Sequence, residues 1–276
     1  VLERELKVMD LAAFTLAPTQ AARWELANSE VLDIKSPDGH DYKIMVAWPD
    51  TPAPADGWPV LWLLDGEDNF AISVMTARRL TKASARSGVE PGLIVAVESG
   101  SLTRRVLDYT PLVAGYSIPS GAPAAAFTTG GADAFLNFLE KSVRPEVMHR
   151  WPIDKNRSAL MGHSFGGLLV VHALTQGRGY SDYIAISPSL WFGDGIVQKR
   201  PLLLAAMPKP RLKMAIGERE GGPMEGLGSL EPFLQELAAK GIAADYKLLP
   251  GQSHGSTMMA SMVEGIMFAF KKGEKR

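Results

Sequence analysis

From Trp58 onward the chain alternates short stretches that read as strands with longer stretches that are apolar at helical spacing. The short stretches are "WPVLWLLDG", "GLIVAVES", "RSALMGH", "YIAISPS", "RLKMAIG" and "ADYKLLP". The first two read as strands buried on both faces, and the other four as strands. Helices are predicted around Asn69–Ser87, in "ADAFLNFLEKSVRPEV", in "FGGLLVVHALTQG", near Gly195–Met207, in "SLEPFLQELAAKG" and in "STMMASMVEGIMFAFKK". Strands joined through helices require crossovers, and crossovers make a parallel sheet with helices on both faces. Ahead of this region, "WELANSEVLDIKS" and "DYKIMVAWP" flank the turn "SPDGHD" and read as an antiparallel pair at one edge. The predicted class is α/β, a mostly parallel twisted sheet with antiparallel edge strands, in a single domain spanning 1–276.

At 276 residues the chain is long enough to bury roughly three quarters of its unfolded surface in one core. Residues 1–22 show some helical periodicity in "VLERELKVMDLAAF" but have no assignable partner. A formal net charge of −1 gives no bulk attraction to nucleic acid or a membrane surface. No apolar stretch approaches the roughly 20 residues that a membrane-spanning helix needs. The absence of cysteine removes disulfides, thiolate catalysis and cysteine metal sites, and suits an oxidising compartment as well as the cytosol. The chain begins at Val1 without an initiator methionine, as after removal of a secretory signal or of a trimmed leader.

Residues Ser99–Thr129 interrupt the alternation with a connection of about thirty residues rich in Gly, Pro, Ser and Ala, far longer than usual. A loop of that length belongs at the carboxyl ends of the strands, where α/β sheets bind ligands.

The chemistry concentrates in "GHSFG", between a predicted strand and a predicted helix. That context makes it a nucleophile elbow, with Ser164 lifted above the sheet edge and Gly162 and Gly166 required where the turn is crowded. The Phe165 N–H, at the helix N-terminus, is then aimed at a developing oxyanion. In this architecture the order is serine, acid, histidine. Of five histidines, His254 in "LPGQSHGS" lies between the last strand and the last helix, where the base belongs. His163 is the variable position of the elbow, His172 a core residue, His40 part of the hairpin turn, and His149 near a helix end. Glu220 follows "RLKMAIG" by three residues and reaches the imidazole as the acid, with Glu218 the near competitor and Asp194 a weaker one. The second oxyanion donor is expected after "VLWLL", at the backbone N–H of Glu67. A histidine base works when neutral, so activity is expected to rise with pH through the ordinary imidazole range, about 6.5.

The segments "MGHSFGG", "AISPSLWF", "LLDGEDNF", "RRVLDYTP" and "GGADAFLNFLEKSVRP" resemble the esterase-D-related α/β-hydrolases, in particular the esterases that linearise the siderophore trilactones enterobactin and salmochelin. The resemblance runs from about Glu30 to the last helix. It implies an α/β-hydrolase fold and a serine esterase acting through an acyl-enzyme, with Ser164 as nucleophile and His254 as base. It also implies Arg104 or Arg105 as a substrate contact, and leaves the acid open between Glu220, Glu218 and a Ser–His dyad. No cofactor and no protein-bound metal are implied; iron would arrive with the substrate, a small-molecule siderophore. A guanidinium suits a catecholate, offering charge, paired donors and a stacking face. Trp191 and Phe192 are placed to supply apolar walls. With the absent initiator methionine and the absent cysteines, such a function is expected in the periplasm, with the cytoplasm as alternative; oligomeric state stays open. The rival functions are a broad carboxylesterase or thioesterase and a non-catalytic ferric-siderophore binding protein.

Overall fold

The computed structural model describes residues 23–120, 125–203, 209–220 and 230–272. The expectations for residues 1–22 and for the end of the Gly195–Met207 stretch lie outside them. Among the described residues there are eight strands: β1 Ser29–Lys35, β2 Asp41–Ala47, β3 Trp58–Leu64, β4 Leu93–Glu98, β5 Ile153–His163, β6 Asp182–Ile186, β7 Arg211–Gly217 and β8 Ala243–Leu249. They form one sheet in the order β1-β2-β4-β3-β5-β6-β7-β8. β1 pairs antiparallel with β2, and β2 antiparallel with β4; the pairs from β4 through β3 to β8 are parallel. The hairpin therefore sits at one edge, as its turn residues predict.

The helices are α1 Gly66–Lys82, α2 Ser84–Ser87, α3 Leu102–Tyr109, α4 Ala132–Phe138, α5 Arg144–Arg150, α6 Phe165–Thr175, α7 Ile196–Lys199, α8 Leu230–Ala239 and α9 Thr257–Phe270. The period of two along a strand decides which layer each residue meets. Val60, Trp62 and Leu64 pack with Val106, Phe135, Leu168 and Phe233 from α3, α4, α6 and α8. Leu61 and Leu63 face the other way, onto Phe70 and Val74 of α1 and Met258, Met262 and Ile266 of α9. Every residue of β3 is buried, which is why it reads as a continuous apolar run. All eleven residues of α6 are buried as well, so this helix has no polar face.

Two expectations need correction. The Ser99–Thr129 connection is not structureless: it contains α3, whose N-cap Ser101 accepts from the Arg104 amide. A cap serine followed by Leu102, Val106 and Tyr109 at helical spacing was the available signal. The stretch "ADAFLNFLEKSVRPEV" is not one α-helix either, but α4 and α5 joined through a π-helical turn over Leu139–Val143. Pro145, in the first turn of α5, has no N–H to give and crowds the carbonyl a turn earlier, and the wider turn falls there.

Candidate active site

The carboxyl ends of β5, β6, β7 and β8 meet at one edge of the sheet, and the elbow is at its centre. Ser164 holds φ 61°, ψ −120°, a conformation a non-glycine residue adopts only under constraint from its surroundings. The constraint comes from β6 and its loop. Ser164 N–H donates to Ile186 O at 3.0 Å, and Ser189 N–H donates to Ser164 O at 3.1 Å. A Cβ on Gly162 would lie 2.6 Å from the Gly166 carbonyl, and one on Gly167 would lie 2.8 Å from Ile186 O. One on Gly166 would meet nothing closer than 3.4 Å. The crowded positions are thus Gly162 and Gly167, not Gly162 and Gly166. Gly162→Ala or Gly167→Ala is expected to cost about 1–3 kcal/mol, while Gly166→Ala melts close to the wild type; thermal unfolding of the three variants checks this.

Ser164 Oγ lies 2.9 Å from His254 Nε2, and His254 Nδ1 lies 2.8 Å from Glu220 Oε2. Glu220 Oε1 accepts from Ser187 Oγ at 2.6 Å and from the Gly217 N–H at 2.7 Å. Its side chain is 5% exposed and that of His254 51%. Burial alone would raise the Glu220 carboxyl, but the hydrogen bonds from Ser187, His254 and Gly217 together carry it below its ordinary value. It is therefore a carboxylate throughout the neutral range. Glu218 is turned elsewhere: its Oε2 accepts from the Gly251 N–H at 2.8 Å. Asp194 is an exposed residue of the β6–α7 connection whose carbonyl accepts from Lys199.

The Phe165 N–H opens α6, where first-turn donors have no acceptor within the helix. The Glu67 N–H is not free for an oxyanion, because it donates to Glu98 Oε2 at 3.0 Å. Glu98 reached this amide from the end of β4, a partner that the sequence around Glu67 does not reveal. Asp65, just before it, stands at φ 56° and its N–H meets Tyr109 Oη at 3.3 Å.

The two arginines are engaged rather than free. Arg104 donates to Asp38 at 2.6 Å and to Tyr42 Oη at 2.8 Å, and pairs with the buried Asp108 at 2.9 Å. It fastens α3 to the edge hairpin, and the contact with Arg104 lowers the Asp38 carboxyl to about 2. Arg105 donates through Nε and Nη2 to both oxygens of Asp65, at 2.5 and 2.8 Å, and to the His163 carbonyl at 3.1 Å. Arg105 thus borders the elbow, while Arg104 faces the hairpin.

Trp191 is half-buried, its ring 5.8 Å from that of Phe165, so it stands beside the elbow. Phe192 is fully buried and packs edge-on to Tyr116, so it belongs to the core rather than to a wall. His172 is a core residue, fully buried with Nε2 on Asp133. Sequence reading missed Ser187 and Thr257, whose hydroxyls lie 2.6 Å apart behind Glu220, and gave His163 no part.

A family model described as "Putative esterase" matches residues 35–219. The chain belongs to that family. This esterase is 27% identical over 272 residues to the ferri-bacillibactin esterase BesA of Bacillus subtilis (strain 168), covering 93% of this chain and 91% of that protein. Over 181 residues it is 38% identical to a siderophore triacetylfusarinine C esterase of Aspergillus fumigatus, covering 61% of this chain and 58% of that one. Its fold matches the crystal structure of the BES protein from Bacillus cereus with a TM-score of 0.80 at 25% identity, over 92% of this chain and 99% of that one. The esterase has the α/β-hydrolase architecture that the resemblance implies, built on the mostly parallel sheet that its strand and helix alternation predicts.

Proposed function

We propose that this esterase hydrolyses the ester backbone of a siderophore, a catecholate trilactone of the enterobactin kind, with Ser164 as nucleophile. The observation that carries the mechanism is the unbroken line of hydrogen bonds from Ser164 Oγ through His254 to Glu220. His254 Nε2 takes the hydroxyl proton as Oγ attacks a lactone carbonyl, and Glu220 steadies the imidazolium that forms. The same proton then goes to the leaving alkoxide, and the acyl-enzyme is released by water activated on the same nitrogen. The Phe165 N–H supports the tetrahedral oxyanion; with the Asp65 and Glu67 amides engaged, Gly66 is the remaining donor candidate beside β3.

The siderophore reading is supported by the relatives named for ferri-bacillibactin and triacetylfusarinine C. Trp191 beside the elbow supplies an aromatic face for such a substrate, and Arg105 a cation that a catecholate can compete for against Asp65. Opening the ring removes the preorganisation of the chelating arms and each further cut unlinks one, so their effective concentration around the iron falls and the metal is held less tightly. The test is chromatographic product analysis after incubation with ferric and iron-free enterobactin, with Ser164→Ala alongside. Linear trimer, dimer or monomer formed only by the enzyme with its serine is the expected result. Hydrolysis of simple p-nitrophenyl esters with both enterobactin forms left intact would replace the reading with a broad carboxylesterase.

A further inference from the structure

Among the described residues, the hydrogen bonds of the His254 side chain are those at its two ring nitrogens, the bonds that change during turnover. Its main chain lies in a short loop between β8 and α9, so the imidazole stays in place only if the loop does. Two groups reach the His254 carbonyl: His163 Nε2 at 2.8 Å and Thr257 Oγ1 at 3.0 Å. The Thr257 hydroxyl also lies 2.6 Å from Ser187 Oγ, which in turn lies 2.6 Å from Glu220 Oε1. Three contacts each ask for a proton, and two hydroxyls carry two. The carboxylate takes the Ser187 proton, since a hydrogen bond to an anion is the strongest of the three. The Thr257 proton then serves either Ser187, completing a chain that ends on Glu220, or the His254 carbonyl.

The His163 N–H does not have to be divided in this way. A ring nitrogen facing a carbonyl oxygen must carry hydrogen, which fixes the tautomer with Nε2–H. Burial and the neighbouring His254 hold the His163 imidazole below its ordinary range, so it remains neutral. The ring lies against that of His254, centroid to centroid 4.7 Å, and its own carbonyl is held by Arg105, which Asp65 grips with both oxygens. The residue next to the nucleophile is therefore anchored on one side and holds the base loop on the other.

We propose that His163 is the positioning residue of this site: its Nε2–H, on the His254 carbonyl, keeps the imidazole in reach of Ser164 and Glu220 through both proton transfers. The proposal rests on the reading of His254 as general base. It assigns a task to the variable position of the elbow, for which the turn itself asks only that the backbone pass through.

The test compares His163→Leu and His163→Gln with the wild type, using a fluorophosphonate that labels an activated serine and a p-nitrophenyl ester. Glutamine reaches about as far as Nε2 and offers an N–H there; leucine fills the space with no donor. Leucine is expected to slow phosphonylation and lower kcat about 10- to 100-fold, the scale of an ångström of misplacement, with KM little changed. Glutamine is expected to recover most of that loss. Melting temperatures separate this from a stability defect, because the losses are read per folded enzyme. Equal rates for the leucine and wild-type enzymes, or equal losses for leucine and glutamine, would overturn the positioning role. Ser164→Ala and His254→Ala are run in parallel. Full activity in either would instead remove the reading on which the proposal stands.

Discussion

Replacing Ser164 with alanine is expected to lower kcat/KM for ester hydrolysis on the order of 10⁴-fold or more, to the residual level left by binding and oxyanion contacts alone. His254→Ala is expected to lose as much, and the double variant no more than either single one. The reason is that Oγ and Nε2, 2.9 Å apart, act as one unit: a hydroxyl without its base is as inert as a base without its hydroxyl. Steady-state rates on a p-nitrophenyl ester measure this, with circular dichroism showing that each variant is folded. Ser164 makes few side-chain contacts beyond His254 and a long 3.5 Å approach to Ser189, so the alanine variant is expected to fold normally. An alanine variant that kept a tenth of the wild-type rate would end the nucleophile assignment.

The second large effect concerns the acid. Glu220→Gln is expected to lower kcat on the order of 10³- to 10⁴-fold, and Glu218→Gln to change it little. Glu220 Oε2 accepts from His254 Nδ1, while Oε1 receives two donors, Ser187 and the Gly217 amide. An amide cannot accept at both ends. Glutamine must either turn its NH₂ toward His254, which forces the imidazole into the wrong tautomer, or face two donors with a third. Among the described residues Glu218 accepts through its side chain from the Gly251 amide, so the expected loss is confined to that loop. The pH dependence of stability has a definite sign. The folded carboxyl is depressed, so the ionised form contributes stability in full above its ordinary value of 4.5, and that contribution fades as pH falls through the lower folded value. The difference in melting temperature between wild type and Glu220→Gln should therefore be constant near neutrality and shrink only in acid. Shrinkage beginning at pH 6 would mean that Glu220 is not held as an anion by these donors.

The sheet was legible because its residues obey local rules. β3 and β4 are buried on both faces and so appear as unbroken apolar runs, and the edge hairpin announces itself through Pro37, Asp38 and Gly39. The hydrogen-bonded line of Ser164, His254 and Glu220 was legible because chain order in this architecture fixes which loop each proposed role can occupy. What was not legible depends on partners far away in sequence. Arg104 looks like a free cation until Asp38, 66 positions away, and Tyr42, 62 away, close on it from the hairpin. The Glu67 amide looks available until Glu98 arrives from β4. The crowding that makes Gly167 rather than Gly166 indispensable is set by Ile186 O and Pro188, on the neighbouring strand and its loop. Within α3 a local signal existed, but eight residues inside a glycine- and proline-rich stretch do not stand out against it.

The order of strands has a consequence for how the enzyme is born. The proposed nucleophile is presented by β5, in the middle of the sheet, whereas its proposed acid and base hang from β7 and β8, the last two of the described strands. Ser164 and His254 are 90 positions apart. At a translation rate of about 5–20 residues per second, that separation is an interval of roughly 5–18 s. During it the nascent polypeptide carries a serine with no base to activate it. On the proposed mechanism, hydrolytic power cannot precede closure of the sheet edge, and a chain released before β8 would be a folding failure without also being an uncontrolled esterase.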